Sequence, residues 1–340
     1  MEKINKYTIA IDKLKFQCVG GFKPVDAFLN KGKLLKERTK IKVNDRIRIA
    51  RIKNETDIGF DYTFSVFIDD FICGTISYQT NGEYKYKIKN GLTLFTCKNE
   101  FLYTENFNME LDYIVKALEI HILKIDLIEF ACDGHGIIDT ANELLNVGNK
   151  GIWSPLNKKH MLKIQTENLQ NGFSRKITFG DSKSKKYFVF YPKSEELKKK
   201  QNKKHIIEYW SSAGLDLNLP IDRAELSIKS SRHLSGFSLN PSDWSRAYLA
   251  AFYKDRAEKY FLFKNKKGRK KSIIQFSLLK PDAVYFSHRV YNTKNNLFSI
   301  RCAIKVLYQE IGCYPCGATY EILIKKYHLQ TWFNKMRKRW

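Results

Sequence analysis

The 340-residue sequence is defined first by what it lacks. No stretch approaches the roughly 20 consecutive apolar residues of a membrane span, and Met1-Glu2-Lys3-Ile4-Asn5-Lys6 has no apolar core of the kind a secretory signal requires. A cytoplasmic location with no membrane partner is therefore expected. Cysteine is sparse: seven residues, an odd number, are scattered at Cys18, Cys73, Cys97, Cys132, Cys302, Cys313 and Cys316, which excludes a disulfide framework and leaves reduced thiols as the expectation. Cys313-Tyr314-Pro315-Cys316 is a lone CxxC with no second pair, a weak zinc signal. The seven histidines are dispersed, with no His-x-His arrangement, and there is no internal repeat. Acidic side chains are the scarce charge, 35 against 60 Lys plus Arg, and none follows Glu321.

What is present is positive charge and aromatic surface. A formal charge of +25 sits in a chain with 28% charged and 43% hydrophobic residues, the composition of a folded protein rather than a disordered polycation. Its natural partner is a polyanion. The 23 Phe, 19 Tyr and 5 Trp offer flat faces on which bases stack beside cations, which favours nucleic acid. With no RRM or KH signature, RNA ranks below DNA. A bias toward Lys, Asn and Ile also reads as drift in an AT-rich coding sequence, which would account for part of the charge.

The length allows two domains or one large one with an appendage. In the first hundred residues, Tyr7 to Phe16, Phe60 to Ile68, Cys73 to Tyr78 and Leu92 to Cys97 alternate or are rich in β-branched and aromatic residues, predicting an antiparallel sheet. Apolar residues at three- and four-residue steps predict a helix over Met109 to Lys124, then a strand over Leu123 to Asp133 and a helix over Ile138 to Val147. Strands are predicted over Lys185 to Tyr191 and Arg223 to Lys229, separated by a Lys-rich run (198 to 204) and a short helix, Ile206 to Ala213. Beyond Ser235, helices are predicted over Trp244 to Phe261, Phe298 to Ile311 and Ala318 to Met336, with a basic cluster at Lys264 to Lys271.

Side chains alternate across a strand, so parity decides which residues can share a site. Glu129 and Asp133 fall on one face and Asp126 on the other; Tyr187 and Tyr191 share a face, as do Arg223, Glu225, Ser227 and Lys229. A phenol is almost wholly protonated at neutral pH, so a nucleophilic Tyr191 needs a nearby cation or base. Lys193 is one candidate. A hard cation, Mg²⁺ or Mn²⁺, held by Glu129, Asp133 and Glu225 is another, and would polarise a scissile phosphate. Such a set cuts a DNA strand, leaving a 5′-phosphotyrosine and a free 3′-hydroxyl. Tyr187 is the rival or second nucleophile, and His135 a candidate ligand or base. The same residues also read as ordinary strand packing for the tyrosines, a surface ion pair for Glu225 with Arg223 or Lys229, and a solvated loop for the Lys run.

The order of three segments resembles a known family. Leu127-Ile128-Glu129-Phe130-Ala131-Cys132-Asp133-Gly134 is followed by Phe179-Gly180-Asp181-Ser182-Lys183-Ser184, leading into Tyr187-Phe188-Val189-Phe190-Tyr191-Pro192-Lys193-Ser194-Glu195-Glu196, and then by Ile221-Asp222-Arg223-Ala224-Glu225-Leu226-Ser227-Ile228-Lys229. Together they resemble rolling-circle replication initiators of the Rep_trans type and the gene II protein of filamentous phages. His205-Ile206-Ile207-Glu208-Tyr209-Trp210 and Tyr327-His328-Leu329-Gln330-Thr331-Trp332 resemble initiators of small phages and plasmids. The resemblance covers roughly residues 120 to 340 and implies a DNA-nicking and joining endonuclease with an antiparallel-sheet core related to the HUH enzymes, a divalent metal, and Tyr191 at the nucleophile position of a Tyr-x-Lys-x-x-Glu element completed by Lys193 and Glu196. Two features depart from the pattern: the His-hydrophobic-His metal motif is absent, so carboxylates must bind the metal, and Pro192 stands where a polar residue is common.

The expectation is thus an α+β protein with an antiparallel-sheet, HUH-like catalytic core over residues 1–235 and a helical, basic DNA-binding region over 236–340. It would act in a bacterial host cell on single-stranded or hairpin origin DNA, with a host helicase or polymerase as further partners. A plasmid mobilisation relaxase and a non-catalytic DNA-binding regulator are the alternative readings.

Overall fold

The computed structural model describes residues 7–20, 23–29, 36–52, 60, 62–78, 92–145, 153–156, 164–170, 173–181, 183–199 and 203–276. The helices expected over Phe298 to Ile311 and Ala318 to Met336, the CxxC and the Tyr327 to Trp332 segment lie outside the described residues, as do residues 200–202 of the Lys-rich run. Contacts divide the chain into two compact units, Met1–Ser287 and His288–Trp340, and all the described residues belong to the first.

In chain order the elements are β1 (Tyr7–Val19), α1 (Lys23–Leu29), β2 (Lys40–Lys42), β3 (Ile47–Ile52), β4 (Tyr62–Ile68), β5 (Phe71–Tyr78), β6 (Thr93–Cys97), α2 (Asn99–Leu102), α3 (Phe107–Ala117), β7 (His121–Gly134), α4 (Ile137–Leu145), β8 (Trp153–Pro155), β9 (Ile164–Gln170), β10 (Phe173–Phe179), β11 (Lys186–Pro192), α5 (Lys193–Lys199), α6 (Lys204–Ser212), β12 (Asp222–Ile228), α7 (Arg246–Phe261), β13 (Leu262–Asn265) and β14 (Lys270–Ser272). The fold is α+β. An 11-stranded sheet runs β2-β3-β4-β5-β6-β1-β7-β12-β11-β10-β9, and every neighbouring pair is antiparallel. The basic cluster at Lys264 to Lys271 forms the β13–β14 hairpin of a small second sheet with β8.

Two long central strands, β1 and β7, carry the core. On one face Ile9, Ile11 and Leu14 of β1, Ile128 and Phe130 of β7, Ala224, Leu226 and Ile228 of β12, and Phe188 and Phe190 of β11 are all buried. Helix α7, whose Ser245 N-cap side chain accepts from the Tyr248 amide, covers that face. Its rings meet the strands directly: Phe252 lies 5.5 Å from Phe130, Phe261 lies 5.0 Å from Phe188, and the Tyr253 hydroxyl donates to the Ala224 carbonyl at 3.0 Å. Over part of the opposite face a smaller apolar cluster joins α5 and α6 to the sheet through Leu197, Ile206, Tyr209, Trp210, Leu215, Ile221, Ala10 and Tyr103.

The helix expected over Met109 to Lys124 ends early, at Ala117, and β7 begins at His121. Glu119 takes a left-handed conformation, φ 54°, which turns the chain without a glycine to announce it. Gly20 is required opposite this turn: a Cβ there would lie 2.7 Å from the Glu119 carbonyl oxygen. Among the described residues no helix is long and apolar enough to cross a membrane. Cys18, Cys73, Cys97 and Cys132 are buried free thiols, each pushed up in pKa by burial.

Candidate active site

The polar face of the central strands is ordered in rows by the sheet register. Tyr191 of β11, Arg223 of β12, Asp133 of β7 and Thr8 of β1 stand side by side; the next row is Val189, Glu225, Ala131, Ala10; the third is Tyr187, Ser227, Glu129, Lys13. Parity therefore places Tyr187, Tyr191, Glu129, Asp133 and Glu225 on one surface. The middle row is small beside Glu225, because both neighbours on β7 and β1 are alanines.

Asp12 lies on this surface too, and a register shift between Ile11 and Lys13 adds Lys13 beside it. At such a bulge two residues oppose one on the partner strand. Asp12 keeps the face of Thr8 and Ala10, while Lys13, paired to Glu129, takes that face too, and the buried positions change parity from Ile9 and Ile11 to Leu14 and Phe16. The result is a group of three carboxylates, Asp12, Glu129 and Glu225, whose nearest oxygens lie within 4.8 Å of one another.

Asp133 is on the right face but is otherwise engaged. Its Oδ1 accepts from Arg223 Nε at 2.7 Å, and its Oδ2 accepts from Arg223 Nη2 at 2.8 Å and from the Trp210 indole at 2.7 Å. Arg223, fully buried, also donates to Asp12 Oδ1 at 2.6 Å and to the Tyr103 hydroxyl at 2.9 Å, and Tyr103 in turn donates to Asp12 Oδ1 at 2.7 Å. Burial acts to raise the Asp12 pKa, but the Arg223 charge and these hydrogen bonds outweigh it and hold the carboxyl well below its ordinary range. Both bonds to Asp12 fall on one oxygen. The carboxylate is thereby aimed while its Oδ2 remains for another ligand.

Tyr191 closes the group. Its phenol donates to Glu225 Oε2 at 3.1 Å. Lys193, the first residue of α5 and almost wholly buried, stands 3.5 Å from the same phenol and donates to Glu196 Oε2 at 2.7 Å. The Tyr-x-Lys-x-x-Glu spacing thus has a physical basis: the strand ends at Pro192, α5 begins at once, and an i,i+3 pair on its first turn holds the ammonium over the Tyr191 ring at 5.4 Å. Burial, followed by the nearby carboxylates of Glu225, Glu196 and Asp12 and opposed by Arg223, pushes the Tyr191 phenol far above its usual pKa. Burial and the like charge of Arg223 lower that of Lys193, and burial and Glu129 raise that of Glu225. Tyr191 is therefore a neutral phenol with a basic acceptor in place.

Tyr187 shares the face, roughly 13 Å along β11 from Tyr191 at about 3.3 Å per residue. Burial raises its pKa, a hydrogen bond to Ser227 opposes, and the Lys229 ammonium lies 5.2 Å from its ring centroid. Glu129 accepts from Ser227 at 3.1 Å on Oε1 and pairs with Lys13 at 2.8 Å on Oε2. His135 turns elsewhere: its Nδ1 lies 2.9 Å from the Pro220 carbonyl oxygen.

The donor set is all carboxylate oxygen, the preference of a hard divalent ion; around Mg²⁺ with ligands at 2.0–2.1 Å neighbouring oxygens stand about 3 Å apart and opposing ones about 4 Å, so the three side chains would draw together on the ion. Lys13, 60% exposed at its side chain, is free to swing off Glu129 as an ion takes the place of its charge. Asp12, Arg223, Tyr103 and Trp210 were not singled out as site residues from sequence. The only signal for Asp12 was an acidic residue on the polar face of an otherwise apolar strand.

No known family model matches the chain, and no curated protein does. Among solved structures it is similar to one described as a rolling circle replication initiator protein from Geobacillus stearothermophilus, with 13% identity and a TM-score of 0.44 over 86% of this chain and 96% of that one. No residue role is carried over from that likeness.

Proposed function

We propose that the protein nicks and rejoins origin DNA as a rolling-circle replication initiator, with Tyr191 as nucleophile. The observation that carries this reading is the 3.1 Å hydrogen bond from Tyr191 to Glu225, one of three carboxylates gathered on a single sheet face. Glu225 accepts the phenolic proton as Tyr191 Oη attacks phosphorus. The Oη–P bond forms, the P–O3′ bond breaks with its electron pair going to the 3′ oxygen, and that oxygen takes up a proton, leaving a 5′-phosphotyrosine and a 3′-hydroxyl. Lys193 steadies the negative charge that develops on Oη, a role available only because the ammonium is held out of solvent and close by. Arg223 is a positioning residue that fixes Asp12 and Asp133. A divalent ion, Mg²⁺ or Mn²⁺, held by Asp12, Glu129 and Glu225 would polarise the scissile phosphate and stabilise the leaving oxygen. The reverse attack of a 3′-hydroxyl on the phosphotyrosine reseals the strand, so the bond energy is kept.

The test is covalent capture. Incubated with labelled single-stranded origin fragments and Mg²⁺ or Mn²⁺, the protein should form a denaturation-resistant adduct whose peptide maps to Tyr191. Tyr191→Phe should abolish the adduct and leave DNA binding nearly unchanged. An adduct that survives in the Phe variant at another residue would move the nucleophile, with Tyr187 the first to examine; no adduct at all would leave a DNA-binding regulator.

A further inference from the structure

The apolar side of the sheet holds a second polar feature, unrelated to the carboxylate face. A cavity of about 190 Å³ opens where the β10–β11 turn meets the end of α7. Phe179, Phe188 and Tyr260 line it with rings, and Lys185, Lys186 and His233 line it with basic side chains; no carboxylate is among its lining residues. Lys186 lies on β11 five residues before Tyr191, hence on the opposite face and roughly 16 Å along the strand.

The Lys186 ammonium donates to the Arg256 carbonyl at 2.9 Å and lies 4.3 Å from the Tyr260 ring centroid and 5.3 Å from that of Phe188. An ammonium has three donors, and this carbonyl takes one. Burial, then repulsion from Arg256 and Lys259 on α7, with Asp255 opposing, brings the Lys186 pKa down to about 7. His233, in the turn Ser231–Leu234, is depressed by burial and by Lys186, Arg232, Arg256 and Lys185. Burial and mutual repulsion both disfavour the charged forms of Lys186 and His233, around a space whose lining includes no carboxylate. An incoming anion would favour their protonated forms, and Tyr260 beside it suits a flat aromatic group.

We propose that this cavity binds a single nucleotide, its phosphate on Lys185, Lys186 and His233 and its base at the mouth beside Tyr260, the half-buried ring of the lining. The volume, about 190 Å³, is below the ~300–1,000 Å³ of pockets that enclose drug-sized molecules, so the cavity encloses the phosphate end of one nucleotide, leaves the base at its mouth, and has no room for a second. The same chemistry could arrive as a free mononucleotide or as one residue of a DNA strand. The inference does not rest on the nicking reading, since the two sites lie on opposite faces of the sheet.

Calorimetric titration of the full chain with deoxythymidine monophosphate tests it. One saturable site is expected, with proton uptake above pH 7 as phosphate restores the Lys186 charge, and Tyr191→Phe should bind as tightly as the parent. Lys186→Met should weaken binding about tenfold, the loss of one hydrogen bond to a charged group. Should that variant lose its fold by circular dichroism, His233→Ala and the exposed Lys185→Ala carry the same test. Competition by a short oligothymidylate would assign the site to a strand, and its absence to a free nucleotide. No saturable binding, or binding indifferent to all three substitutions, overturns the proposal.

Discussion

At the scale of single residues, the decisive group is Arg223. It is fully buried and bonded to Asp12, Asp133 and Tyr103, so its removal strands Asp133 without its counter-charge and leaves Asp12 with Lys193 alone. Breaking a buried ion pair from one side costs about 3–5 kcal/mol. Arg223→Met is therefore expected to lower the urea midpoint sharply, and the folded fraction should show no adduct because Asp12 is no longer aimed. The cluster itself gives a milder variant. Asp12→Asn keeps the shape and removes one of three negative oxygens, so Mn²⁺ affinity, read by electron paramagnetic resonance without any turnover, should fall by about tenfold or more, while Asp126→Asn, outside the three-carboxylate group, should leave it unchanged. Equal Mn²⁺ affinity in parent and Asp12→Asn would remove Asp12 from the ligand set.

Elements explain which of these residues could be read from sequence. Strict alternation in β7, β11 and β12 placed Glu129, Glu225, Tyr187 and Tyr191 on one face, and the register bears out that sharing. Asp133 satisfied the same parity, but parity is silent about partners, and Arg223 directly across the ladder claims it. Asp12 shares that face by plain alternation with Thr8 and Ala10; what the bulge hid is Lys13 beside Glu129, since one extra residue in β1 has no local sequence mark and changes the face of everything after it. The early end of α3 was hidden in the same way, by a left-handed Glu119 where a glycine would have signalled the turn. One element carries a pH prediction. The Asp222 carboxyl, at the start of β12, accepts from the Ile138 amide at 3.0 Å in the first turn of α4. Burial, with Asp139 adding to it and the amide bonds opposing, raises its pKa to about 6. A raised pKa means the folded state holds the proton more tightly: the stabilisation is complete below the unfolded value near 4 and is lost as pH rises through about 6. Asp222→Asn cannot titrate yet still offers an oxygen to Ile138. Its stability relative to the parent should therefore rise between pH 5 and 7.5, by no more than about 3 kcal/mol, in urea unfolding at each pH; a flat difference would reject the assignment.

For the whole molecule, the division proposed at residue 235 concerns function, while packing crosses it. Phe237, Trp244, Phe252, Tyr253, Phe261 and Phe263 belong to the same buried cluster as Phe130 and Phe188, and the rings of α7 close the face of the sheet opposite Tyr191. Each large side chain contributes about 1.5–3 kcal/mol when fully buried, against about 5–15 kcal/mol for the net stability of a domain. A chain ending at residue 235 should thus be unfolded or insoluble, its sheet face bare, whatever chemistry its residues could perform. A chain ending at Ser287, the limit of the first compact unit, keeps α7 and the β13–β14 hairpin and should fold with a single cooperative transition. If the region beyond confers origin choice, this shorter chain will still form the Tyr191 adduct on single-stranded DNA, but will discriminate origin from unrelated sequence less well and show a shallower salt dependence, because it has lost phosphate-neutralising Lys and Arg. Adduct yield on origin and scrambled oligonucleotides, measured side by side at several salt concentrations, separates the outcomes. Undiminished discrimination would place sequence reading in the sheet unit itself.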